Sequence, residues 1–216
     1  MKGSHALIVF DFDGTLVDTA PGIHEGANGV LRTLGYPGRS LDEVKKAIGR
    51  GVQELFRDLM VPAEPEVIEK AVDLFREWYR ENPVLKTKVY PGVVPVLSGP
   101  LSGMKKTIVT NKPDDLVKVI LEKLGMVGFF DIVVGTGAGF PPKPDPGSVL
   151  FVLQRTHVSP ARTILIGDSS IDWETARRAG TAFGWVSYGY EPLSPNGSCP
   201  VFSSPKEWEK VLHADL

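Results

Sequence analysis

Five short apolar runs restrict the folds open to this chain more than any other feature of its sequence. Residues 6–10, 106–110, 132–134, 163–166 and 182–186 are each brief, mostly rich in Val, Ile or Phe, and apolar continuously rather than at alternate positions. A strand with one wet face alternates apolar and polar residues, whereas a strand covered by helices on both faces reads as an unbroken apolar stretch. Helical patterns lie between the later runs. Leu116 and Ile120 sit four apart in residues 114–124, which close on Gly125, and residues 148–155 and 172–179 follow the same logic, the latter stopping at Gly180. Strands and helices alternating at this rhythm predict βαβ units and an α/β fold with a doubly wound parallel sheet.

The rhythm breaks between about residue 18 and residue 82, which read as three or four amphipathic helices. Ile23, Ala27, Val30, Leu31 and Leu34 form one apolar face, closed by Gly35, and Leu41, Val44, Ala47 and Ile48 form a second, ended by Gly49. Val52, Leu55, Phe56 and Leu59 mark a third, and Val67, Ile68, Ala71, Val72, Phe75, Trp78 and Tyr79 a fourth. Pro83 and Pro91-Gly92 mark the passage back to a sheet that resumes near residue 106. The expected division is thus a sheet domain of residues 1–17 and 84–216, interrupted by a helical domain of residues 18–83. A chain of 216 residues suits such a division and can bury a core without disulfide or metal staples. Residues 191–199 read as a polar, turn-rich loop.

Charge and cysteine content narrow the function classes. With 24 Lys and Arg against 26 Asp and Glu, the formal charge is −2. A nucleic-acid binder normally carries a basic excess or a clustered basic patch, so no nucleic-acid partner is expected. The lone cysteine, Cys199, rules out an internal disulfide and a multi-cysteine metal site and fits a reducing compartment. No stretch approaches the roughly 18–20 apolar residues of a transmembrane helix. The run at 6–10, cut off by Asp11, is also shorter than the ~7–15-residue core of a signal peptide. A cytoplasmic protein with no membrane partner is therefore expected, as a monomer or a dimer.

Chemistry-bearing residues fall at the carboxyl ends of the strands, where ligand sites of doubly wound sheets lie. The first strand runs into Asp11-Phe12-Asp13-Gly14-Thr15, and Gly14 permits the bend that would let Asp11 and Asp13 converge. The second ends in Thr110-Asn111, the third is followed by Lys143-Pro144-Asp145-Pro146, and the fourth ends in Gly167-Asp168-Ser169-Ser170-Ile171-Asp172. Each has an ordinary explanation as a turn, a helix cap or a surface lysine. Together they assemble an acidic cluster, one cation and neutral donors around one crevice, and packed carboxylates repel unless a cation or a proton offsets them. Hard oxygen ligands without His or Cys suit Mg²⁺. Mg²⁺ and Lys143 would offset the charge of a phosphate dianion, and a carboxylate nucleophile would divide one difficult displacement into two easier ones. His24, His157, Trp78, Trp173 and Trp185 read as caps or packing, and Ser169 and Ser170 lack a partner base.

Asp11-Phe12-Asp13-Gly14-Thr15-Leu16, Val109-Thr110-Asn111, Lys143-Pro144 and Gly167-Asp168-Ser169 with Asp172 resemble, in order, the four motifs of the haloacid dehalogenase superfamily. The resemblance implies a Rossmann-like core with a helical cap inserted after the first strand. It implies Asp11 as nucleophile and Asp13 as general acid and base. Thr110 and Asn111 would hydrogen-bond the transferring phosphoryl group and Lys143 would neutralise it. Mg²⁺ would be held by Asp11, Asp168 and the backbone carbonyl of Asp13, with Asp172 orienting metal waters or Lys143. The second acid, Asp13, favours phosphoryl transfer over dehalogenation. Residues 18–23 and the turn Ile48-Gly49-Arg50-Gly51-Val52-Gln53 resemble phosphoglycolate phosphatases, with Arg50 as a clamp for a substrate carboxylate. The implied partner is a small phosphorylated metabolite. A mutase of the β-phosphoglucomutase type, a pyrophosphatase or sugar-phosphate phosphatase, and a phospho-accepting receiver-like module are the alternatives.

Overall fold

Leu7, Ile8, Val9 and Phe10 offer no polar side chain to water, so both faces of this segment need cover. The computed structural model, which describes residues 5–191 and 199–212, buries all four completely in β1 (Leu7–Phe10). A two-residue strand follows, β2 (Val17–Asp18), and then four helices, α1 (Ala20–Thr33), α2 (Leu41–Ala47), α3 (Val52–Leu59) and α4 (Pro65–Glu81). β3 (Lys88–Val89) and α5 (Val93–Ser98) lead to β4 (Lys105–Pro113), α6 (Asp114–Lys123), β5 (Ile132–Thr136) and α7 (Gly147–Thr156). The chain continues through β6 (Thr163–Gly167), α8 (Ser170–Ala179), β7 (Ala182–Val186) and β8 (Val201–Phe202) to a 3₁₀ helix, Pro205–Leu212.

The main sheet has six strands in the order β5-β4-β1-β6-β7-β8, all parallel. It is the expected doubly wound α/β fold. From β1 the chain adds β4 and β5 on one side, then crosses over to add β6, β7 and β8 on the other. The winding therefore reverses at β1, which opens a crevice beyond its carboxyl end.

Side-chain alternation along β1 sorts the core into two layers. Leu7 and Val9 pack with Val149 and Val152 of α7 and Ala176 and Ala179 of α8. Ile8 and Phe10 pack on the opposite face with Val96 of α5, Val117 and Ile120 of α6, and Trp208. Each fully buried aliphatic or aromatic side chain of this kind contributes about 1.5–3 kcal/mol. Asp11 is the next odd-numbered position, and so emerges on the side of α7 and α8.

Between β2 and β3, α1 packs against α2 and α4, and α3 against α2 and α4. The expected apolar faces are the buried ones, Ile23, Ala27, Val30 and Leu31 on α1 and Ile68, Ala71, Val72, Phe75 and Tyr79 on α4. α2 starts with a capping box, Ser40 accepting from the Glu43 N–H while Glu43 accepts from the Ser40 N–H. Trp78 packs on Phe75, Trp185 is buried beside Phe183, and His24 contacts the Arg39 carbonyl, all structural roles.

Four departures from the expected layout occur, the first being β8, a sixth strand that pairs with β7, Trp185 opposite Val201. β2 and β3 form an antiparallel ribbon, Val17 opposite Val89 and Asp18 opposite Lys88, where the helical segment leaves and rejoins the sheet. Two-residue strands are too short to show a period. α5 contains Pro95, which is tolerated because it lies in the first turn, where its missing N–H is not needed. β4 runs to Pro113 rather than ending at residue 110, with a shift in pairing to β5 between Val109 and Pro113. Of the loop expected at 191–199, residues 192–198 lie outside the described residues. No helix among the described residues is long and apolar enough to cross a membrane.

Candidate active site

Asp11 follows directly on β1 and is 8% exposed. Its Oδ1 accepts from the Lys143 ammonium at 2.7 Å, and the same ammonium donates to Asp172 Oδ1 at 2.5 Å. Lys143 lies in the connection between β5 and α7, and Asp172 in the first turn of α8. The other Asp172 oxygen accepts from the N–H and hydroxyl of Ser169, the N-cap of α8. Ser169 is thus a helix cap, and Asp172 both completes that cap and orients Lys143. Burial pushes the Asp11 carboxyl up to about 7, with Asp172 adding to it against the pull of Lys143. Burial acts to lower Lys143, but Asp11 and Asp172 outweigh it and hold the ammonium above the usual lysine range.

Asp168, at the end of β6, completes the cluster. Carboxylate oxygens of Asp11, Asp168 and Asp172 lie within 4.8 Å of one another. Asp168 is 3% exposed and accepts from the Thr15 hydroxyl at 3.0 Å and the Tyr190 N–H at 2.7 Å. A Cβ at Gly14, whose φ is +87°, would stand 2.3 Å from its Oδ2, and one at Gly189 2.1 Å from its Cβ. Both positions must be glycine for the carboxylate to sit here. No cation pairs with Asp168 among the described residues, so three buried carboxylates share the one ammonium of Lys143. Burial, followed by Asp11 and Asp172, pushes the Asp168 carboxyl well above its usual range. Two unit charges 4.8 Å apart at an effective dielectric near 20 repel by about 3.5 kcal/mol. Such an all-oxygen, under-neutralised cluster fits a hard divalent cation. Asp11 and Asp168 are the carboxylates placed to hold it: Asp168 meets only neutral donors, whereas Asp172 already spends one oxygen on the Lys143 ammonium and the other on the Ser169 cap.

Asp13 shares the cavity that Asp11 opens on. Its carboxylate does not join that cluster; it is turned toward Lys112, 3.2 Å from the ammonium, and accepts from the Thr19 hydroxyl at 2.6 Å. A buried lysine offers a stronger partner than two carboxylates that would repel it. Lys112 is 8% exposed, lies 4.5 Å over the Tyr79 ring, and is held charged by Asp13 and Tyr79 against the effect of burial.

Thr110 Oγ1 accepts from the Lys112 N–H at 3.2 Å, which leaves its own proton free to donate. The Asn111 amide is engaged within the protein. Its Oδ1 accepts from the Lys143 N–H at 2.7 Å, and its Nδ2 donates to the Lys143 carbonyl at 3.0 Å and the Gly49 carbonyl at 2.8 Å. Asn111 therefore clasps the backbone that carries Lys143 and ties it to the turn before α3. Arg50, the expected carboxylate clamp, is half exposed and paired with Asp58 of α3, the nearer carboxylate.

Asp11, Asp13, Thr110, Asn111 and Lys112 line a cavity of about 60 Å³ whose other wall is Ile23, Ile48, Val52 and Leu55. A second, larger cavity of about 310 Å³ is bordered by Asp11, Asp13, Asp168, Tyr190 and, at its rim, Arg50. Lys112 and Tyr190 were not anticipated. The signal for Lys112 is a lysine directly after Thr110-Asn111 at a strand's carboxyl end; for Tyr190 it is Tyr188-Gly189-Tyr190 after β7, at the same edge.

The site is a reversed winding point ringed by strand-end carboxylates, with the buried lysines Lys143 and Lys112 beside them. A profile described as haloacid dehalogenase-like hydrolase matches residues 8–186, and the chain belongs to that family. Its relatives are more particular. It is 36% identical over 209 residues to a phosphoglycolate phosphatase of Aquifex aeolicus, covering 95% of this chain and 96% of that one. It is 34% identical over 196 residues to the phosphoglycolate phosphatase of Pseudomonas putida, covering 88% and 72%. The crystal structure of a predicted phosphoglycolate phosphatase from Haemophilus somnus superposes with a TM-score of 0.90, at 26% identity and 98% coverage of both chains. The chain is accordingly a phosphoric monoester hydrolase.

Proposed function

We propose that the chain is a Mg²⁺-dependent phosphatase of a small phosphomonoester, 2-phosphoglycolate, acting through an aspartyl-phosphate on Asp11. The observation that carries this reading is the placement of Asp11: a buried carboxylate held by Lys143, beside the uncompensated Asp168, opening on the cavity that Thr110 and Asp13 share. Helices α1–α4, residues 18–83, act as a cap over a core of residues 1–17 and 84–216, and the turn at Gly49 meets the core through Asn111.

In this reading an Asp11 oxygen attacks phosphorus, the ester P–O bond breaks, and Asp13 protonates the departing oxygen. Asp13 then takes a proton from water, which attacks the acyl-phosphate and releases inorganic phosphate. Lys143 neutralises charge on the phosphoryl oxygens and the Thr110 hydroxyl donates to one of them. Asn111 holds the Lys143 backbone in place. Asp11, Asp168 and the Asp13 main-chain carbonyl would hold Mg²⁺, which would supply the positive charge that lets an anionic nucleophile approach an anionic ester.

The small cavity with aliphatic walls from the cap favours a short acid over a hexose phosphate or a nucleotide, and Lys112 is its one cationic lining residue among the described residues. We assign the substrate carboxylate to Lys112. Arg50 remains a rim residue, its exposed pair with Asp58 worth little. Phosphate release from 2-phosphoglycolate, pyrophosphate, hexose phosphates and nucleotide monophosphates, with Mg²⁺ and with EDTA, tests this. The expected result is Mg²⁺-dependent release with the highest kcat/KM on 2-phosphoglycolate. Isomerisation of a hexose phosphate, or metal-independent release, would overturn it.

A further inference from the structure

Tyr190 touches both ends of the site without lining the cavity that holds Thr110 and Lys112. Its N–H donates to Asp168 Oδ2 at 2.7 Å. Its phenol oxygen accepts from the Thr19 N–H at 2.7 Å and the Ala20 N–H at 3.0 Å, and its own proton goes to Asp18 Oδ1 at 3.1 Å. Thr19 is the N-cap of α1, yet its side chain makes no capping bond. A threonine in that place ordinarily turns its hydroxyl back to the free N–H groups of the first turn. Here the second residue of the turn is Pro21, which has no N–H, and the Gly22 N–H donates to the Thr19 carbonyl at 3.1 Å, while a tyrosine 170 residues further along the chain accepts from Ala20. The Thr19 hydroxyl, fully buried, donates at 2.6 Å to Asp13 instead.

We propose that Tyr190 is a positioning residue for the acid–base step: its phenol, which accepts from the Thr19 N–H and lies 3.3 Å from the Thr19 hydroxyl, fixes the N-cap residue whose hydroxyl holds the Asp13 carboxylate, while its main chain holds Asp168. The inference rests on Asp13 being the general acid of the proposed function. Without the phenol the Thr19 N–H loses its acceptor, which is costly for a buried group, while the Ala20 N–H keeps Asp18 Oδ1 at 3.3 Å. The N-cap residue would then shift to find another partner and carry its hydroxyl away from Asp13, leaving that carboxylate to swing toward Lys112 alone.

A leaving group that departs as a stable anion does not need Asp13, whereas an alkoxide does. Tyr190→Phe should therefore lower kcat/KM for 2-phosphoglycolate by about tenfold, a fraction of the ~10²–10⁴ that general acid catalysis provides. For p-nitrophenyl phosphate the loss should stay within about twofold. The Mg²⁺ concentration for half-maximal rate should not move, because the N–H to Asp168 is retained. Thr19→Val should show the same leaving-group preference, Thr19→Ser should restore near-normal rates, and adding Tyr190→Phe to Thr19→Val should cost little more, since both act through one contact. A merely structural cap would affect both substrates alike and combine additively, and either outcome would overturn the proposal. Asp13→Asn serves as reference. If it lacks the leaving-group preference, the acid assignment fails and the inference with it; if it has the preference and Tyr190→Phe does not, the inference alone fails. Should Tyr190→Phe not fold, the contrast of Thr19→Val with Thr19→Ser decides.

Discussion

Replacing Asp168 by Asn should stabilise the metal-free protein while abolishing its response to Mg²⁺. Asp168 is buried within 4.8 Å of two other carboxylates. At an effective dielectric near 20 each repulsion is worth about 3.5 kcal/mol, and Lys143, shared by both neighbours, offsets roughly one of them. A net cost on the order of 3 kcal/mol remains. Asn has the same shape and keeps both hydrogen bonds: its Oδ1 accepts from the Tyr190 N–H, and its amide donates to Thr15 Oγ1, which can serve as acceptor. Neutralisation should then raise Tm in EDTA by about 5–10 °C for a protein of this size. The sign with pH is also determined. The folded-state pKa of Asp168 is raised, so the folded protein binds the extra proton, and its stability falls as pH rises from the unfolded value near 4. The advantage of the variant over wild type should be small near pH 4 and grow toward pH 8. Thermal denaturation in EDTA and in excess Mg²⁺ at both pH values is the assay. Wild type should gain stability from Mg²⁺, and Asp168→Asn should gain none. If the variant melts below wild type in EDTA at pH 8, the carboxylate is not under uncompensated repulsion and the cation argument fails.

Lys143→Met leaves Asp11 and Asp172 buried without their shared partner, so it should destabilise the protein by about 3–5 kcal/mol and abolish turnover; a stable, active variant would contradict the arrangement. Lys112→Met should raise KM for 2-phosphoglycolate by about tenfold, the loss of one buried ionic contact, whereas Arg50→Ala should leave KM within about twofold, as expected of an exposed ion pair. The reverse order would move the carboxylate site to the rim. Asn111→Ala should lower kcat by roughly 10–100-fold through a displaced Lys143 backbone, and unchanged kcat would refute the clasp.

The sequence disclosed what repeats and what clusters. The unbroken apolar stretches predicted the inner strands to within a few residues because helices cover both sheet faces, and the i, i+3, i+4 faces of α1 and α4 are the ones buried. β2, β3 and β8 escaped because a two-residue strand has no period and is fixed by its partner alone. Asp11, Lys143, Asp168 and Asp172 were legible as strand-end chemistry. The direction of each side chain was not. Asp13 turns to Lys112 and Asn111 to the Lys143 backbone, partners that only the folded chain brings within reach. Arg50 finds Asp58 for the same reason. Tyr190 reaches a helix cap across 170 residues of chain, a distance at which spacing carries no information.

Quenching turnover of 2-phosphoglycolate in acid and mapping the phosphorylated peptide by mass spectrometry puts the nucleophile itself to the test. The account predicts a phosphoryl group on Asp11, formed with Mg²⁺, absent with EDTA and absent in an Asp11→Asn variant that folds normally but does not turn over. Full activity in Asp11→Asn, or a phosphoryl group on another residue, would contradict it.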